Sequence, residues 1–178
     1  MFTDIICCIL ISDFITGLFH WIEDTYGTVS DSWISRNIWQ SNINHHKTPS
    51  EITRNTFIDR NLIQWILVSI FIIVSLICEF FCWQLFLVAL IIGFANEIHC
   101  WSHNKTNHWL VQLLQDSHIL QTKLQHSKHH LNPYNRNYCI ITNWLNPLLE
   151  KLKFWPFLEY IISPFISVKR GSTNRSGY

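Results

Sequence analysis

Ten histidines occur in this chain of 178 residues, and nine of them fall in short motifs. His20 stands in GLFHW, His45 and His46 in NHHKTP, and His99 and His103 in HCWSH. His118 stands in LLQDSHI, and His126, His129 and His130 in HSKHH. Residues three or four apart share one face of a helix. That spacing makes His99 converge with His103, and His126 with His129 and His130. His20 and Asp24 are related in the same way, as are Asn96 and His99. Neutral imidazole is a good ligand for iron, zinc, copper and nickel. A mononuclear catalytic site takes about three protein ligands, so nine histidines are too many for one ion and suit two metals in one site. Clustered imidazoles of this kind can hold two irons and leave positions open for oxygen. The metal then carries the hard step, removal of hydrogen from an unactivated C–H bond. A lone histidine at a membrane edge is more often an ordinary hydrogen-bonding group, and His20 taken alone would be read that way. Several clusters at one end of the apolar segments weigh against it. His108, in NKTNHWL, belongs to no cluster and reads as a surface residue.

The elements that must position these residues are apolar. Hydrophobic residues make up 48% of the chain and charged residues 14%, against about 25% charged in a soluble domain. That excludes a disordered protein. The net charge of +1 excludes a globally basic nucleic-acid binder. The first candidate span covers about 5–22 and contains Asp13, an expensive group in lipid that reads either as a functional residue or as one facing a polar partner helix. A second apolar region runs over 62–95. One straight helix of that length would measure about 51 Å, well beyond a hydrocarbon core of about 30 Å. A hairpin fits better, with spans 62–78 and 80–95 and Glu79 at the turn. All 13 Lys and Arg lie in 23–61 and 104–178. Three spans put both regions on one side, which the positive-inside rule makes cytoplasmic, and every histidine motif falls on that side. The expected fold is all-α: an integral membrane helical protein of about three spans with a cytoplasmic histidine-rich helical cap over 96–146. Residues 147–168, broken by Pro147, Pro156 and Pro164, read as an interfacial segment. A single unit then covers 1–168, and a polar tail, 169–178, is expected to be disordered. The six cysteines include no CxxC pair and do not suggest a zinc ribbon or a disulfide framework.

At this point the residues resemble a family. ISDFITGLFHWIEDTYG looks like the entry motif of the Kua-type lipid desaturases, a family with plasmanylethanolamine desaturases, bacterial relatives and a plant plastid fatty-acid desaturase. The likeness continues in order through HHKTPSEITRNTFIDRN, NEIHCWSH and LLQDSHILQTKLQHSKHHLNPYNRNYCIITNWLNPLLEKLKFWPFLE, covering about residues 10–160. QDSHI and WLNPLLEKLKFW look like the plasmanylethanolamine desaturases, whereas HHKTPSEITR and PYNRNYCI also look like the plastid enzyme. The plastid enzyme lacks a histidine matching His118, and no transit peptide precedes the first span, so both features lean toward the first group. Family members generally carry a further N-terminal membrane helix, which this sequence does not show.

The resemblance implies a di-iron, oxygen-dependent membrane desaturase. It carries metal-ligand candidacy to His20, His45, His46, His99, His103, His118, His126, His129 and His130, and a supporting place to Asp24 and Asn96. It implies two iron ions, O2 as co-substrate, and an ether phospholipid whose alkyl chain becomes the vinyl ether of a plasmalogen. Electrons would come from an NAD(P)H-dependent reductase through cytochrome b5 or a comparable carrier. The expected location is the endoplasmic reticulum membrane in a eukaryote and the inner membrane in a bacterium. Three other readings stand beside it: a fatty-acyl desaturase of the plastid type, a lipid hydroxylase sharing the histidine architecture, and a non-catalytic membrane anchor. Lys123, Lys128 and Arg136 read as ordinary positive-inside charges before they read as a docking patch.

Overall fold

Helix is the only regular structure among the described residues, 1–169, of the computed structural model. Three helices are long and apolar enough to cross a membrane, as the hydropathy predicts. Helix α1 covers Phe2–Tyr26, α3 covers Phe57–Ile77, and α4, Trp83–Gly93, continues after a break at Phe94 into α5, Ala95–His103. Between the first two spans lie a π-helical turn, Ser35–Trp39, helix α2, Gln40–Lys47, and a 3-10 turn, Pro49–Thr53. The remaining helices are short: α6, Trp109–Asp116; α7, Lys123–Ser127; α8, Asn146–Lys151; and α9, Phe154–Ile162.

Small residues let the spans approach closely, as packing inside a bilayer requires. Ser12 on α1 donates to its own Cys8 carbonyl at 2.7 Å and stands 3.4 Å from the Val88 carbonyl of α4. At Gly93 an added Cβ would lie 3.1 Å from the Trp65 ring of α3, so the glycine makes room for the indole. Most of α3 faces outward, with Leu62, Ile66, Leu67, Ile70 and Ile73 exposed, as suits a lipid-facing helix. Its start is fixed by a capping box between Thr56 and Asp59, which satisfies two otherwise orphaned N–H groups.

The third span differs from the 80–95 reading. Its helix pair runs on to His103 and takes its histidines with it. The apparent stop at Asn96 and Glu97 is neutralised from α3: Arg60 Nη2 meets Glu97 Oε2 at 2.6 Å, and the Asn96 amide donates to the Arg60 carbonyl at 2.7 Å. A polar pair that would end a lipid-exposed helix therefore ends none here. The turn before it, centred on Glu79 with φ 59°, is the hairpin bend.

Below the histidines an irregular strap, residues 136–145, lies against α1. Asp13 accepts from the Ile141 N–H at 2.9 Å and the Thr142 hydroxyl at 2.6 Å, and is fully buried. Its partner is thus the strap, through one backbone N–H and one hydroxyl, and not a polar helix. An added Cβ on Gly17 would lie 2.8 Å from Cys139 Sγ and 3.2 Å from the Cys139 backbone, so the glycine is what lets strap and helix touch. Trp21, Tyr138, Cys139, Leu149 and Trp155 form the core of this region. Trp155 stacks on Trp21 with centroids 6.1 Å apart and is fully buried. The segment read as interfacial is therefore partly core: α9 buries Trp155 and exposes Phe157, Tyr160 and Ile161. Of the expected tail, Lys169 donates its N–H to the Thr25 carbonyl at 2.7 Å, and 170–178 lie outside the described residues.

Candidate metal centre

Four elements and one short turn bring the histidines together. His20 comes from the last turns of α1, His45 and His46 from α2, His99 and His103 from α5, and His126 from α7. His129 and His130 follow α7 directly. The π-helical turn that aims α2 is tied by Ser35, whose hydroxyl donates to the Thr28 carbonyl at 2.8 Å and accepts from the Ser30 N–H at 2.7 Å. A capping box between Thr122 and Gln125 starts α7.

The side chains form two groups. One holds His45, His99, His103, His126 and His130; the other holds His20, Asp24, His46 and His129. Within each, the nearest ligand atoms all lie within 4.8 Å of one another. In the first, His126 Nε2 stands 2.9 Å from His99 Nε2 and 3.0 Å from His130 Nε2, and His103 Nε2 stands 3.2 Å from His99 Nε2. Two nitrogens each about 2.1 Å from one ion, and at right angles, are about 3 Å apart. Both ring nitrogens of His45 are buried without a hydrogen-bond partner.

In the second group, backbone carbonyls fix the rings. The His20 Nδ1 lies 3.2 Å from the Tyr138 carbonyl and the His129 Nδ1 lies 2.8 Å from the Arg136 carbonyl. A carbonyl only accepts, so each Nδ1 carries a proton, and in the tautomer with its single proton there each ring turns an Nε2 lone pair inward. Those lone pairs meet another acceptor. Asp24 Oδ2 is 3.2 Å from His129 Nε2 and 3.9 Å from His20 Nε2, and all three atoms are buried with no hydrogen-bond partner. Buried acceptors facing one another repel until a cation lies between them. Asp24 Oδ1 is held in place by the Asn42 amide at 2.6 Å and by His46 Nε2 at 2.8 Å. The donor set therefore fits metal ions, five imidazoles in one group and three imidazoles with a carboxylate in the other.

Protonation state agrees with this. Burial, and then the neighbouring imidazole of His103, hold His45 and His126 far below the ordinary imidazole range. His130 is pushed down to about 2 by burial and by His129 and His46. These rings are neutral at physiological pH and ready to coordinate without competition from protons.

The other residues singled out in the sequence sit elsewhere. His118 is exposed, at φ 59°, and belongs to neither group. The Asn96 amide is spent on the Arg60 carbonyl. Asp24, read as a supporting residue, presents a carboxylate oxygen among the ligand atoms themselves. His108 is exposed and caps α6, its Nδ1 facing the Leu110 N–H at 3.4 Å. Sequence reasoning missed the strap carbonyls at 136 and 138, since backbone acceptors leave no residue-type signal. It also missed Tyr134, whose ring centroid lies 4.8 Å from that of His46. We expect His108→Ala and His118→Ala each to leave metal content unchanged and activity within about two-fold, because neither removes a grouped ligand atom. Loss of an ion from the purified His118→Ala chain would return that residue to the site.

Comparison with known proteins gives the chain its relatives. The lipid desaturase domain matches residues 9–173. The chain is 34% identical to plasmanylethanolamine desaturase 1 of Mus musculus over 168 residues, covering 86% of this chain and 61% of that one. It is 33% identical over 158 residues to the chloroplastic fatty acid desaturase 4 of Arabidopsis thaliana, covering 85% of this chain and 48% of that one. A probable fatty acid desaturase of Acanthamoeba polyphaga mimivirus is 33% identical over 181 residues, covering 94% of this chain and 85% of that one. The chain thus spans about half to three-fifths of the length of the mouse and plant proteins. No solved structure matches it.

Proposed function

From the premise that this chain belongs to the lipid desaturase family, we propose that it is a di-iron membrane desaturase that forms the vinyl ether of plasmalogens from plasmanylethanolamine. One observation carries the reading: two adjoining sets of buried, inward-turned ligand atoms at one end of three candidate membrane spans. His20, Asp24, His46 and His129 would hold one iron, and His45, His99, His103, His126 and His130 the other. A bound iron pair supplies oxygen-dependent removal of two hydrogens from adjacent carbons. Overall, an alkyl ether, O2, two electrons and two protons become an alkenyl ether and two waters. The protein's own part is to hold the imidazoles neutral, to keep water away through the buried Trp21, Tyr138 and Trp155 core, and to set the site at the end of the spans. There an alkyl chain can reach it from the bilayer while the headgroup stays at the surface. The two electrons would come from NAD(P)H through a reductase and cytochrome b5 or a comparable carrier. The site then faces the cytoplasm, from the endoplasmic reticulum membrane in a eukaryote or the inner membrane in a bacterium.

A second reading, a fatty-acyl desaturase, is favoured by the match to the Arabidopsis protein. The test is lipid mass spectrometry of cells lacking their own plasmanylethanolamine desaturase, with and without this chain. Acid-labile species two mass units below their alkyl precursors are expected. A new double bond in an acyl chain would instead assign the second reading. A gain of sixteen mass units would make the protein a hydroxylase. A membrane-inserted chain that leaves every lipid unchanged, with donor and reductase supplied, would overturn the enzymatic reading.

A further inference from the structure

Gln121 is fully buried and uses every polar group it has. Its N–H donates to the Ile141 carbonyl at 2.9 Å, and its carbonyl accepts from the Ser102 hydroxyl at 3.2 Å and the Gln115 amide at 3.0 Å. Its side-chain amide is oriented without ambiguity. Nε2 donates to the Cys139 carbonyl at 2.8 Å, and a carbonyl only accepts, so that end must be nitrogen. The other end, Oε1, therefore faces His126 Nδ1, 3.0 Å away. An amide oxygen only accepts as well, so His126 carries its proton on Nδ1 and turns a lone pair at Nε2 toward His99 and His130. His126 is the ring on which the first group centres, since its Nε2 lies closest to two others. It is also a buried ring of the five-histidine group whose outer nitrogen has a side-chain acceptor; the acceptors of His20 and His129 are backbone carbonyls.

The geometry points to Gln121 as the positioning residue of the five-histidine metal group, acting through the His126 tautomer. This rests on the proposed metal site. Partners outside the ligands fix ring orientation and basicity, and their loss commonly costs 10- to 100-fold in metal affinity. Gln121 does this with a neutral acceptor, whereas Asp24 brings a negative charge to the neighbouring group. The two groups would thus differ in charge at the ligands, while their supports, an amide oxygen in one and backbone carbonyls in the other, are neutral in both.

Two variants of the full chain separate this role from a merely structural one. Gln121→Glu keeps an acceptor for His126 but loses the donor to Cys139. Gln121→Leu loses both. The measurement is anaerobic titration of the detergent-purified chain with cobalt(II), read by visible absorption and against a competing chelator. The unaltered chain is expected to bind two equivalents. Gln121→Leu should bind one of them about 10- to 100-fold more weakly. Gln121→Glu should keep its affinity within a few-fold but shift the absorption of one of the two ions. Equal weakening in both variants, with no spectral change in what still binds, would make Gln121 only a tie to the strap and overturn the inference. Two equivalents bound at unaltered affinity by Gln121→Leu would overturn it too. An unaltered chain that binds no cobalt would sink the metal site itself, a different result. Should neither variant fold, nitrogen-15 histidine spectra of the zinc-loaded unaltered chain decide. His126 protonated at Nδ1 supports the role, and the opposite tautomer ends it.

Discussion

His129→Ala and His130→Ala are each expected to lower lipid desaturation by more than about 100-fold while the chain still reaches the membrane. The two residues are neighbours in sequence but belong to different groups. His129 Nε2 faces Asp24, and His130 Nε2 faces His126. Neither contributes to a span, so extraction of membranes with alkaline carbonate should leave both variants in the pellet. Removing a partner outside the ligands commonly costs 10- to 100-fold, and removing a ligand should cost more. Iron per purified chain should fall from about two to about one in each case, with a different ion retained. Full iron content in either variant, or an equal loss of activity in His108→Ala, would contradict the division into two groups.

Asp24→Asn is the second large effect, although it changes no volume. The Asn42 amide donates to Asp24 Oδ1, so an asparagine at 24 would keep its oxygen there. Its NH2 would then point at His129 and His20, where the carboxylate now turns Oδ2. A donor replaces an acceptor at the position a cation would occupy, and one negative charge is lost. At an effective dielectric near 20, a unit charge pair at about 4 Å is worth about 4 kcal/mol, and about 1.4 kcal/mol is a factor of ten. Loss of the ion from this group is expected, with the five-histidine group still filled, and activity down at least about 100-fold. Iron analysis and activity on the same preparation check it. Two irons per chain in Asp24→Asn would show that the carboxylate is dispensable.

Much of this arrangement is legible in the sequence. The three spans followed from hydropathy and length, since a segment like 62–95 has no other stable form in lipid. The convergence of His99 with His103 followed from helical spacing; the same spacing grouped His126 with His129 and His130, and the structure keeps His130 with His126 but places His129 with His20, Asp24 and His46. What spacing could not reveal is which histidines share a group. His129 and His130 are adjacent in sequence, yet they are divided because the turn after α7 sends one ring toward α1 and the other toward α5. Asp13 stood out as costly, but its partner was hidden, because a loop that supplies N–H groups has no hydropathy pattern of its own. Trp155 looked interfacial by composition and is core, because only tertiary packing decides which tryptophan face meets Trp21. His118 shows the opposite case: its motif suggested a ligand, and in the structure it stands exposed at φ 59° just past α6, in neither group.

The strap has a consequence for the order of events in the life of the chain. Asp13 precedes His20 by seven residues, about 10 Å along α1, so the strap it grips reaches well into the depth of the spans. Irregular backbone at that depth survives only when protein surrounds it, and Tyr138, Cys139, Ile141 and Thr142 are almost wholly buried. Chains are made from the N-terminus, and the spans leave the ribosome before residue 136 does. Until then His20 and His129 lack the carbonyls that orient them, and the far wall of the site is open. Filling of the proposed metal groups would therefore be a late step of biogenesis, completed by about the last quarter of the chain. A nascent protein stalled before the strap would sit in the bilayer with all eight grouped histidines made and no finished place for either ion.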